Sequence, residues 1–343
     1  MDKIRFGIIG LGIMGQNYLD IYKTQNPYTE VAAVSNRSTD RLNSVAEKFG
    51  IPERDRYADY KKILDRKDID AVVIATPDFA HTQMVLDALS AGKHVLVEKP
   101  LTISTKEADQ IVEAVNKTKL KLQVSYNHRW LSSYYEAKMQ IQSGEIGKPL
   151  LAYARKNDTI FVSTEMINWA SKTNSTYFLS AHDVDLVRWY FDSEPVEARG
   201  YGIKEVLVKK GIDTYDLIQG QVKFQNGSIA TFESGWIYPN TFPTVVDSFV
   251  EVIGSSGHIH LDRKYESIEV SSQKGFSYPK TFTNKKMFGK IHGSLKGCLD
   301  AFADCIINDT DPIVSAYDGR QVTAVLEAIV KSADNGGETI KIK

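Results

Sequence analysis

The sequence contains little cysteine and no long hydrophobic run. Its two cysteines, Cys298 and Cys305, lie seven residues apart among apolar residues at helical spacing. We interpret them as core residues and not as a disulfide or redox pair, because a free cysteine behaves as a small hydrophobic residue. No segment approaches the roughly 18 apolar residues of a membrane-spanning helix, and the N-terminus lacks the pattern of a signal peptide. We therefore expect a cytoplasmic protein without a membrane span.

The sequence also has no excess of charge of one sign. Its 42 Lys and Arg residues face 43 Asp and Glu residues, which gives a formal net charge of -1. No global basic field is therefore present to attract nucleic acid. His258 and His260 have no carboxylate or cysteine at metal-ligand spacing, and we expect no metal site. A chain of 343 residues is long enough for two domains.

Two different hydrophobic periods divide the chain. In the first part, short apolar runs alternate with helical patterns, which predicts an α/β, doubly wound parallel sheet of the Rossmann type. After residue 150 the strands alternate with period two, as in "DLIQGQVKF", and "QNGS" reads as a tight hairpin turn. We predict one domain over 1–125 and an α+β domain with a large, mostly antiparallel sheet over 126–343.

A glycine-rich loop follows the first apolar run. Gly10, Gly12 and Gly15 form the pattern Gly-x-Gly-x-x-Gly between a strand and a helix, which is the context that a dinucleotide site requires. The first glycine permits a tight turn, the second allows close approach of a pyrophosphate, and the third allows close packing of helix and strand. The helix start, with Ile13 and Met14, should offer free N–H groups to the phosphates.

The end of the second strand bears on the choice between the two nicotinamide dinucleotides. NAD-binding folds usually place an acid there for the ribose 2′-hydroxyl, but this chain has Ser35, Asn36, Arg37 and Ser38. An arginine and two hydroxyls suit a 2′-phosphate. We favour NADP(H) as the cofactor. NAD(H) stays possible if Arg37 is solvated and Asn36 binds the ribose.

Six stretches of the chain match motifs of one oxidoreductase family. They are "GIIGLGIMG", "ATPDFAH" at 75–81, "VEKP" at 97–100, "NHRW" at 127–130, "HDVDLVRW" at 182–189 and the last helix "DGRQVTAVLEAIVKSADNG". Over nearly its full length the chain resembles the Gfo/Idh/MocA oxidoreductases, the glucose–fructose oxidoreductase and inositol dehydrogenase family. The resemblance implies an NAD(P)-dependent dehydrogenase or reductase. In it, a dinucleotide-binding domain spans 1–125, a domain that binds substrate and mediates oligomerisation spans 126–343, and the last helix packs back on the first domain. Such an enzyme transfers a hydride to or from a small-molecule sugar, cyclitol or related polyol or ketone.

The strand end Glu98-Lys99-Pro100 is the most specific of these motifs. The carboxyl ends of strands in an open α/β sheet face the ligand crevice, so both charges should project beside the nicotinamide. By resemblance, the Lys–Pro bond is cis, Lys99 is the leading catalytic residue and contacts the substrate oxygen, and Glu98 contacts the nicotinamide ribose. The structural alternative is an exposed ion pair, which would be worth little.

Other cofactor contacts are expected at the neighbouring strand ends. Thr76 and Pro77 end the preceding strand, and their backbone should line the crevice. His81 follows at the start of the next helix. By resemblance it lies near the cofactor, although a lone histidine could equally be a satisfied surface residue. Asn127 and Arg129 follow the last parallel strand and are candidates for nicotinamide or substrate contacts.

One motif departs from the family pattern. The family usually has Asp-x-x-x-His, in which the Asp orients the imidazole, but here Phe178 stands four residues before His182. In one interpretation His182 accepts the proton together with Lys99, and Asp185, three residues later, orients it. In another, His182 only binds substrate, and Lys99 or a tyrosine handles the proton. A buried histidine with a packing role is the structural alternative.

The remaining candidates concern substrate and assembly. Arg155 and Trp169 lead into the His182 helix and could bind a sugar, since sugar sites combine flat apolar faces with hydrogen-bonding groups. Ala230, Phe232 and Trp236 lie on one side of a strand, which predicts an apolar sheet face covered by a partner subunit in a homodimer or homotetramer. Two rival functions are a non-catalytic cofactor-binding sugar sensor and a glycosidase-like enzyme with tightly bound cofactor.

Overall fold

The computed structural model describes residues 3–343. The chain divides into two compact units. The first unit runs to Asn127 and also takes up Asn284–Arg320, whereas the second consists of His128–Thr283 and Gln321–Lys343. The expected domain division into 1–125 and 126–343 stays a prediction, as does the docking of the last helix on the first domain.

The first unit is built on a six-stranded parallel sheet in the order β3-β2-β1-β4-β5-β6. Its elements are β1 (Ile4–Ile9), α1 (Ile13–Thr24), β2 (Thr29–Ser35), α2 (Thr39–Lys48), β3 (Arg56–Tyr57), α3 (Lys61–Leu64), β4 (Ala71–Ile74), α4 (His81–Ser90), β5 (His94–Val97), α5 (Thr105–Thr118) and β6 (Leu122–Val124). The central strands β1, β4 and β5 are almost wholly buried, as expected for parallel strands covered on both faces.

The second unit contains a seven-stranded mixed sheet in the order β12-β11-β7-β10-β9-β8-β17. Within it β10 pairs with β7 in parallel, and the other pairs are antiparallel. Its elements are α6 (Ser132–Gln142), β7 (Pro149–Thr159), α7 (Ala181–Phe191), β8 (Pro195–Ile203), β9 (Leu217–Phe224), β10 (Ile229–Tyr238), β11 (Val246–Gly254), β12 (His258–Asp262), β13 (Val270–Ser272), β14 (Gly275–Ser277) and, near the C-terminus, β17 (Ile340–Lys341).

The segment between the two parts of the second unit belongs to the first unit. It forms a hairpin, β15 (Lys285–Met287) and β16 (Lys290–His292), then α8 (Ser294–Ile307) and the start of α9 (Ala316–Asp334). The ring centroid of Phe302 in α8 lies 6.2 Å from that of Phe6 in β1. The Tyr22 hydroxyl of α1 donates to the Leu299 carbonyl of α8 at 2.9 Å. Both cysteines are free and buried, which confirms their interpretation as core residues.

The sheet face that carries Ala230, Phe232 and Trp236 is not the open face that the sequence predicted. Ala230, Phe232 and Trp236 are buried within the second unit. Lys156 of β7, beside β10 on the same face as Phe232, bonds to Asp183 of α7. The expectation that these three side chains form an uncovered apolar face is therefore wrong, because strand alternation turns them toward α7. The other face carries half-buried and exposed side chains.

Among the described residues, no helix has both the length and the apolar composition needed to cross a membrane. Over the same residues, no cluster of three or more His, Cys, Asp or Glu side chains could hold a metal ion.

Candidate active site

The turn between β1 and α1 is packed too tightly for side chains at two glycines. Gly10 has φ +94°, and a Cβ there would lie 2.5 Å from the Ala75 carbonyl oxygen. A Cβ at Gly15 would lie 1.9 Å from the Gly10 carbonyl oxygen. Both positions therefore need glycine because the backbone of the turn, of α1 and of the end of β4 approach one another directly.

Gly12 differs because open space surrounds it. Apart from its chain neighbours, a Cβ at Gly12 would meet no described atom within 4 Å. It caps α1 without a side-chain hydrogen bond, and the following Ile13 side chain is 64% exposed, whereas Met14 is half-buried. The first-turn N–H groups of a helix bind anions. This open cradle at a helix N-terminus fits the pyrophosphate of a dinucleotide.

The end of β2 is tied to the glycine loop. The Asn36 side-chain carbonyl accepts from the Leu11 N–H at 3.2 Å, and its amide donates to the Ser38 carbonyl at 3.1 Å. Ser35 is buried, whereas the Ser38 side chain caps α2. Arg37 is exposed at the same edge. Asn36 is therefore a structural brace, and Arg37 is the charged side chain that this loop presents to solvent.

His81 bridges the ends of two parallel strands. Its ring is buried, with Nδ1 lying 2.8 Å from the Pro100 carbonyl oxygen and Nε2 lying 2.9 Å from that of Thr76. Thr76 and Pro77 themselves are partly exposed. Both ring nitrogens of His81 thus face backbone carbonyls, so the histidine supports the strand ends from beneath. Neither a surface position nor a ring-nitrogen contact with the cofactor describes this geometry.

The Glu98 carboxylate is held by the helix that follows the glycine loop. Glu98 is only 8% exposed. One of its oxygens accepts from the Tyr18 hydroxyl of α1, and the other accepts from the Lys99 N–H at 3.1 Å. Tyr18 also lies 2.9 Å from Ser125. The strand end is therefore not an exposed ion pair; Lys99 is partly exposed beside it, and the Lys99–Pro100 peptide bond is cis.

Tyr18 acts as a donor at all ordinary pH values. Complete burial, and next the charge of Glu98, raise the pKa of the Tyr18 hydroxyl well above its usual value. The sequence did not single out Tyr18, since a buried aromatic residue on a helix is usually a core residue. The rule that could have drawn attention to Tyr18 is that a buried tyrosine hydroxyl needs a hydrogen-bond partner.

Asn127 lies three residues after β6, the last strand of the parallel sheet. It is 5% exposed, and within the described residues its side-chain oxygen has no hydrogen-bond partner. Buried polar atoms are normally satisfied. An acceptor left open beside a predicted nicotinamide site fits an incoming amide or hydroxyl donor.

In the second unit, His182 lies in the first turn of α7 and is partly exposed. Its ring stacks on that of His128, with centroids 3.9 Å apart and planes 10° apart. Phe178 lies in an aromatic cluster with Trp169 at 5.8 Å and Trp236 at 6.0 Å. The position of the usual orienting carboxylate is thus filled by core packing, and Trp169 packs its edge against this cluster.

Two buried ion pairs anchor α7. Arg129 Nε and Nη2 donate to the two oxygens of Asp185 at 2.9 and 2.6 Å, and Lys156 donates to Asp183 at 2.5 Å. All four side chains are at most 6% exposed. Both oxygens of Asp185 are therefore used by a guanidinium. The proposed role of Asp185 in orienting His182 must therefore be compatible with its bond to Arg129. The same holds for the proposed contact of Arg129 with the nicotinamide.

The structure does not bring Arg155 to this cluster. Side chains alternate along β7, so Arg155 lies on the opposite sheet face from Lys156. There it pairs with Asp247 at 3.1 Å, and its guanidinium carbon lies 5.4 Å from the Phe249 ring centroid. Arg155 therefore lies on the sheet face away from α7, and its role in substrate binding stays a prediction, whereas Lys156 lies on the face that α7 covers and pairs there with Asp183.

The Tyr18–Glu98 contact can be tested by removing one hydroxyl. We expect Tyr18→Phe to lower the free energy of unfolding by about 1–3 kcal/mol, because Glu98 loses a buried donor. It should also weaken dinucleotide binding roughly tenfold, or about 1.4 kcal/mol, because the Glu98 carboxylate is no longer oriented. Urea unfolding and fluorescence titration with the dinucleotide measure the two effects.

Tyr22→Phe is the matched control, since its buried hydroxyl on the same helix bonds to α8 instead. It should cost similar stability and leave dinucleotide affinity unchanged. Equal affinities for the two variants would show that Tyr18 has no part in cofactor binding.

Comparison with known proteins covers both units. Residues 4–126 match the family model described as "Oxidoreductase family, NAD-binding Rossmann fold", and residues 138–342 match "Oxidoreductase family, C-terminal alpha/beta domain". The scyllo-inositol 2-dehydrogenase (NAD(+)) of Bacillus subtilis is 29% identical over 97% of this chain and 95% of that protein. Inositol 2-dehydrogenase 3 of Saccharopolyspora erythraea is 32% identical over 97% and 94%.

Solved structures share the fold. The myo-inositol 2-dehydrogenase of Lactobacillus plantarum superposes with a TM-score of 0.86 at 23% identity and full coverage of both chains. The scyllo-inositol dehydrogenase of Lactobacillus casei, determined with NAD(H) and scyllo-inositol, gives 0.84 at 22% identity over 99% of each chain. The predicted α/β architecture and the prediction of a nicotinamide-dependent oxidoreductase are confirmed. The chain belongs to the Gfo/Idh/MocA family of oxidoreductases, and its residues 4–126 match the NAD-binding Rossmann fold of that family.

Proposed function

We propose that the protein is a dehydrogenase of carbohydrate metabolism that oxidises one hydroxyl of a cyclitol or related sugar, or carries out the reverse reduction. The observation that carries this proposal is the strand end Glu98-Lys99-Pro100. It lies on the sheet that also carries the open glycine cradle, and Glu98 is braced by Tyr18 of α1. The relatives named above, which are inositol dehydrogenases, support a cyclitol as substrate.

The proposed cofactor-binding residues all belong to the first unit except Arg129. The glycine loop and the first turn of α1 would hold the pyrophosphate, and Glu98 and Asn127 would hold the nicotinamide end. When bound, the nicotinamide supplies an acceptor or donor for a hydride. The protein's own work is to orient the substrate carbon and to manage the proton of its hydroxyl.

Lys99 is proposed as the residue that holds the reacting oxygen. Its ammonium group would donate a hydrogen bond to the reacting oxygen, and this bond would be strongest in the transition state of hydride transfer, where negative charge develops on that oxygen in either direction. His182, partly exposed at the start of α7, would accept the proton that leaves the hydroxyl, or would bind the substrate while Lys99 relays the proton. Trp169 and Asp185 stay predictions as substrate contacts.

The function is tested by assaying the purified protein with myo-inositol, scyllo-inositol and simple sugars, with NAD⁺ or NADP⁺. The near-ultraviolet absorbance of reduced nicotinamide records turnover. On the best substrate, we expect Lys99→Ala to lower kcat by at least about 10²-fold, because an interaction realised in the transition state is lost. Dinucleotide affinity should stay close to normal.

Lys61→Ala, at an exposed position of the first unit, is the control and should keep full activity. A Lys99→Ala variant with full kcat would refute the assigned chemistry. Cofactor that co-purifies and never turns over on any polyol would favour a non-catalytic sensor. Hydrolysis of a glycoside with cofactor retained would favour the glycosidase-like alternative.

We propose further that the protein accepts NADP(H). Asn36 is committed to bracing the glycine loop, no carboxylate stands at its position, and Arg37 is exposed at the same edge. A 2′-phosphate there would meet a guanidinium and no repelling charge. The B. subtilis relative is named for NAD(+), so both cofactors belong in the assay.

The choice of cofactor is tested at Arg37. We expect Arg37→Ala to raise the Kd for NADP(H) by about 10- to 100-fold, since a charge-assisted hydrogen bond worth roughly 1.5–3 kcal/mol is lost. Binding of NAD(H), which has no 2′-phosphate, should change little. Arg54→Ala, at a solvated arginine in the same unit, should alter neither. Equal losses for the two cofactors after Arg37→Ala would contradict the proposal.

We also propose a homodimer or homotetramer that assembles through the second-unit sheet. On its open face Ile229 and Ile253 flank Leu151 in neighbouring strands, and the first two are 47% and 39% exposed. Contiguous apolar patches on a sheet are commonly covered by a partner subunit. A cytoplasmic location stays a prediction.

Sedimentation equilibrium at micromolar concentration tests the assembly. We expect a mass of at least twice the 38.4 kDa of one chain. Ile229→Lys should shift the protein toward the single chain, because the buried ammonium would be unpaired in the interface. Tyr28→Lys, at a 54% exposed aromatic of the first unit, should not. A wild-type protein that sediments as one chain would exclude this interface.

A further inference from the structure

Phe178 stands at the position, four residues before His182, that usually holds a carboxylate, and the His182 ring stacks on another ring. Phe178, four residues earlier, packs against Trp169 and Trp236 and offers no hydrogen bond. The ring that contacts His182 is His128, whose plane lies 10° from parallel at a centroid distance of 3.9 Å. Face-to-face contact at this distance restricts rotation of the imidazole about its Cβ–Cγ bond.

The partner ring is itself fixed on other sides. His128 is 6% exposed, and Tyr134 meets it edge-on at 5.7 Å and 78°. Arg263 Nη1 lies 3.2 Å from His128 Nε2, and the Arg263 guanidinium carbon lies 5.9 Å from the Tyr134 ring centroid. His128 is therefore a buried platform clamped by an aromatic ring and a cation.

The Arg263 contact decides the protonation state of His128. A guanidinium has only donors, so Nε2 of His128 must be the acceptor of this hydrogen bond. A neutral imidazole that accepts at one nitrogen carries its proton on the other. The contact with Arg263 therefore fits the neutral Nδ1–H tautomer of His128. A proton on Nε2 would instead point at the guanidinium, and it would place two like charges next to each other.

We propose that His128 is the positioning residue for His182. Its neutral ring, held as the Nδ1–H tautomer by Arg263, positions the His182 imidazole by stacking. His182, and not His128, is then the ring that takes the proton of the substrate hydroxyl. Asp183 pairs with Lys156 and Asp185 pairs with Arg129, and Asp158 is a further buried carboxylate on β7. Arg263 also faces Glu266 at 3.5 Å.

This inference rests on the proposed function for its catalytic consequence, and the first experiment therefore reads kcat and KM on the best substrate. We expect His128→Ala to lower kcat by about 10- to 100-fold with little change in KM, because a misplaced catalytic ring loses rate more than binding. His128→Phe keeps a flat ring and should recover most of kcat. His292→Ala, at an exposed histidine, should match the wild type.

Thermal unfolding of each variant distinguishes a positioning role from loss of the fold. If His128→Phe and His128→Ala lose kcat equally while both stay folded, stacking does not position His182 and the inference is overturned. If His128→Ala retains full kcat while His182→Ala loses it, the inference fails and the proposed function stands. If His182→Ala keeps full kcat, the catalytic assignment of His182 fails.

The second experiment does not depend on activity. Long-range ¹H–¹⁵N correlation spectra of histidine-labelled protein identify ring tautomers. We expect His128, assigned by its loss in His128→Phe, to be a neutral Nδ1–H tautomer, and Arg263→Met to abolish this preference. An imidazolium or an Nε2–H tautomer at His128 in the wild type would overturn the inference, whether or not any polyol is oxidised.

Discussion

The close packing of α1 against the turn after β1 is the constraint on which the first unit depends. With no side chain at Gly10 or Gly15, the helix lies directly on the backbone of that turn. This depth places two tyrosines, Tyr18 and Tyr22, one helical turn apart on the buried face. The first reaches Glu98 at the end of β5, and the second reaches the backbone of α8.

One helix thus links the phosphate cradle, the strand end that carries Lys99 and the returning C-terminal segment. A larger residue at Gly15 would displace α1 and so disturb the cradle, the strand end and the C-terminal segment, because its Cβ would lie well within van der Waals distance of the Gly10 carbonyl. The glycines usually explained by the cofactor are therefore explained here in part by the protein's own packing. Of the three, only Gly12 has open space where a Cβ would lie, and this is the space proposed for the pyrophosphate.

In the second unit, buried ion pairs hold α7 in position, as close backbone packing holds α1 in the first. Asp183 of α7 pairs with Lys156 of β7, and Asp185 of α7 pairs with Arg129 of the turn between β6 and α6. Buried pairs gain little net stability, but removing one partner costs about 3–5 kcal/mol. Their main effect is to fix the rotation of α7 about its axis. That rotation sets His182 against His128, and so the stacked pair depends on ion pairs in which neither histidine takes part.

Much of this molecule could be predicted from local sequence patterns. The alternation of apolar runs and helices determined the parallel sheet, and the glycine spacing together with the strand end at 97–100 determined the cofactor-binding unit. These features are set by residues close together in the chain, so a linear pattern records them. The period-two strands of the second half likewise determined a mostly antiparallel sheet.

Only the tertiary structure decided which buried polar groups meet. Tyr18 and Glu98 are 80 residues apart in the chain, and Arg263 and His128 are 135 apart, so no local spacing predicts either pair. In one interpretation of the sequence Asp185 oriented His182, but a guanidinium from outside α7 binds both oxygens of Asp185. The sequence analysis also assigned the wrong face of β10 to the subunit surface, because alternation defines two faces and only helix packing selects the buried one.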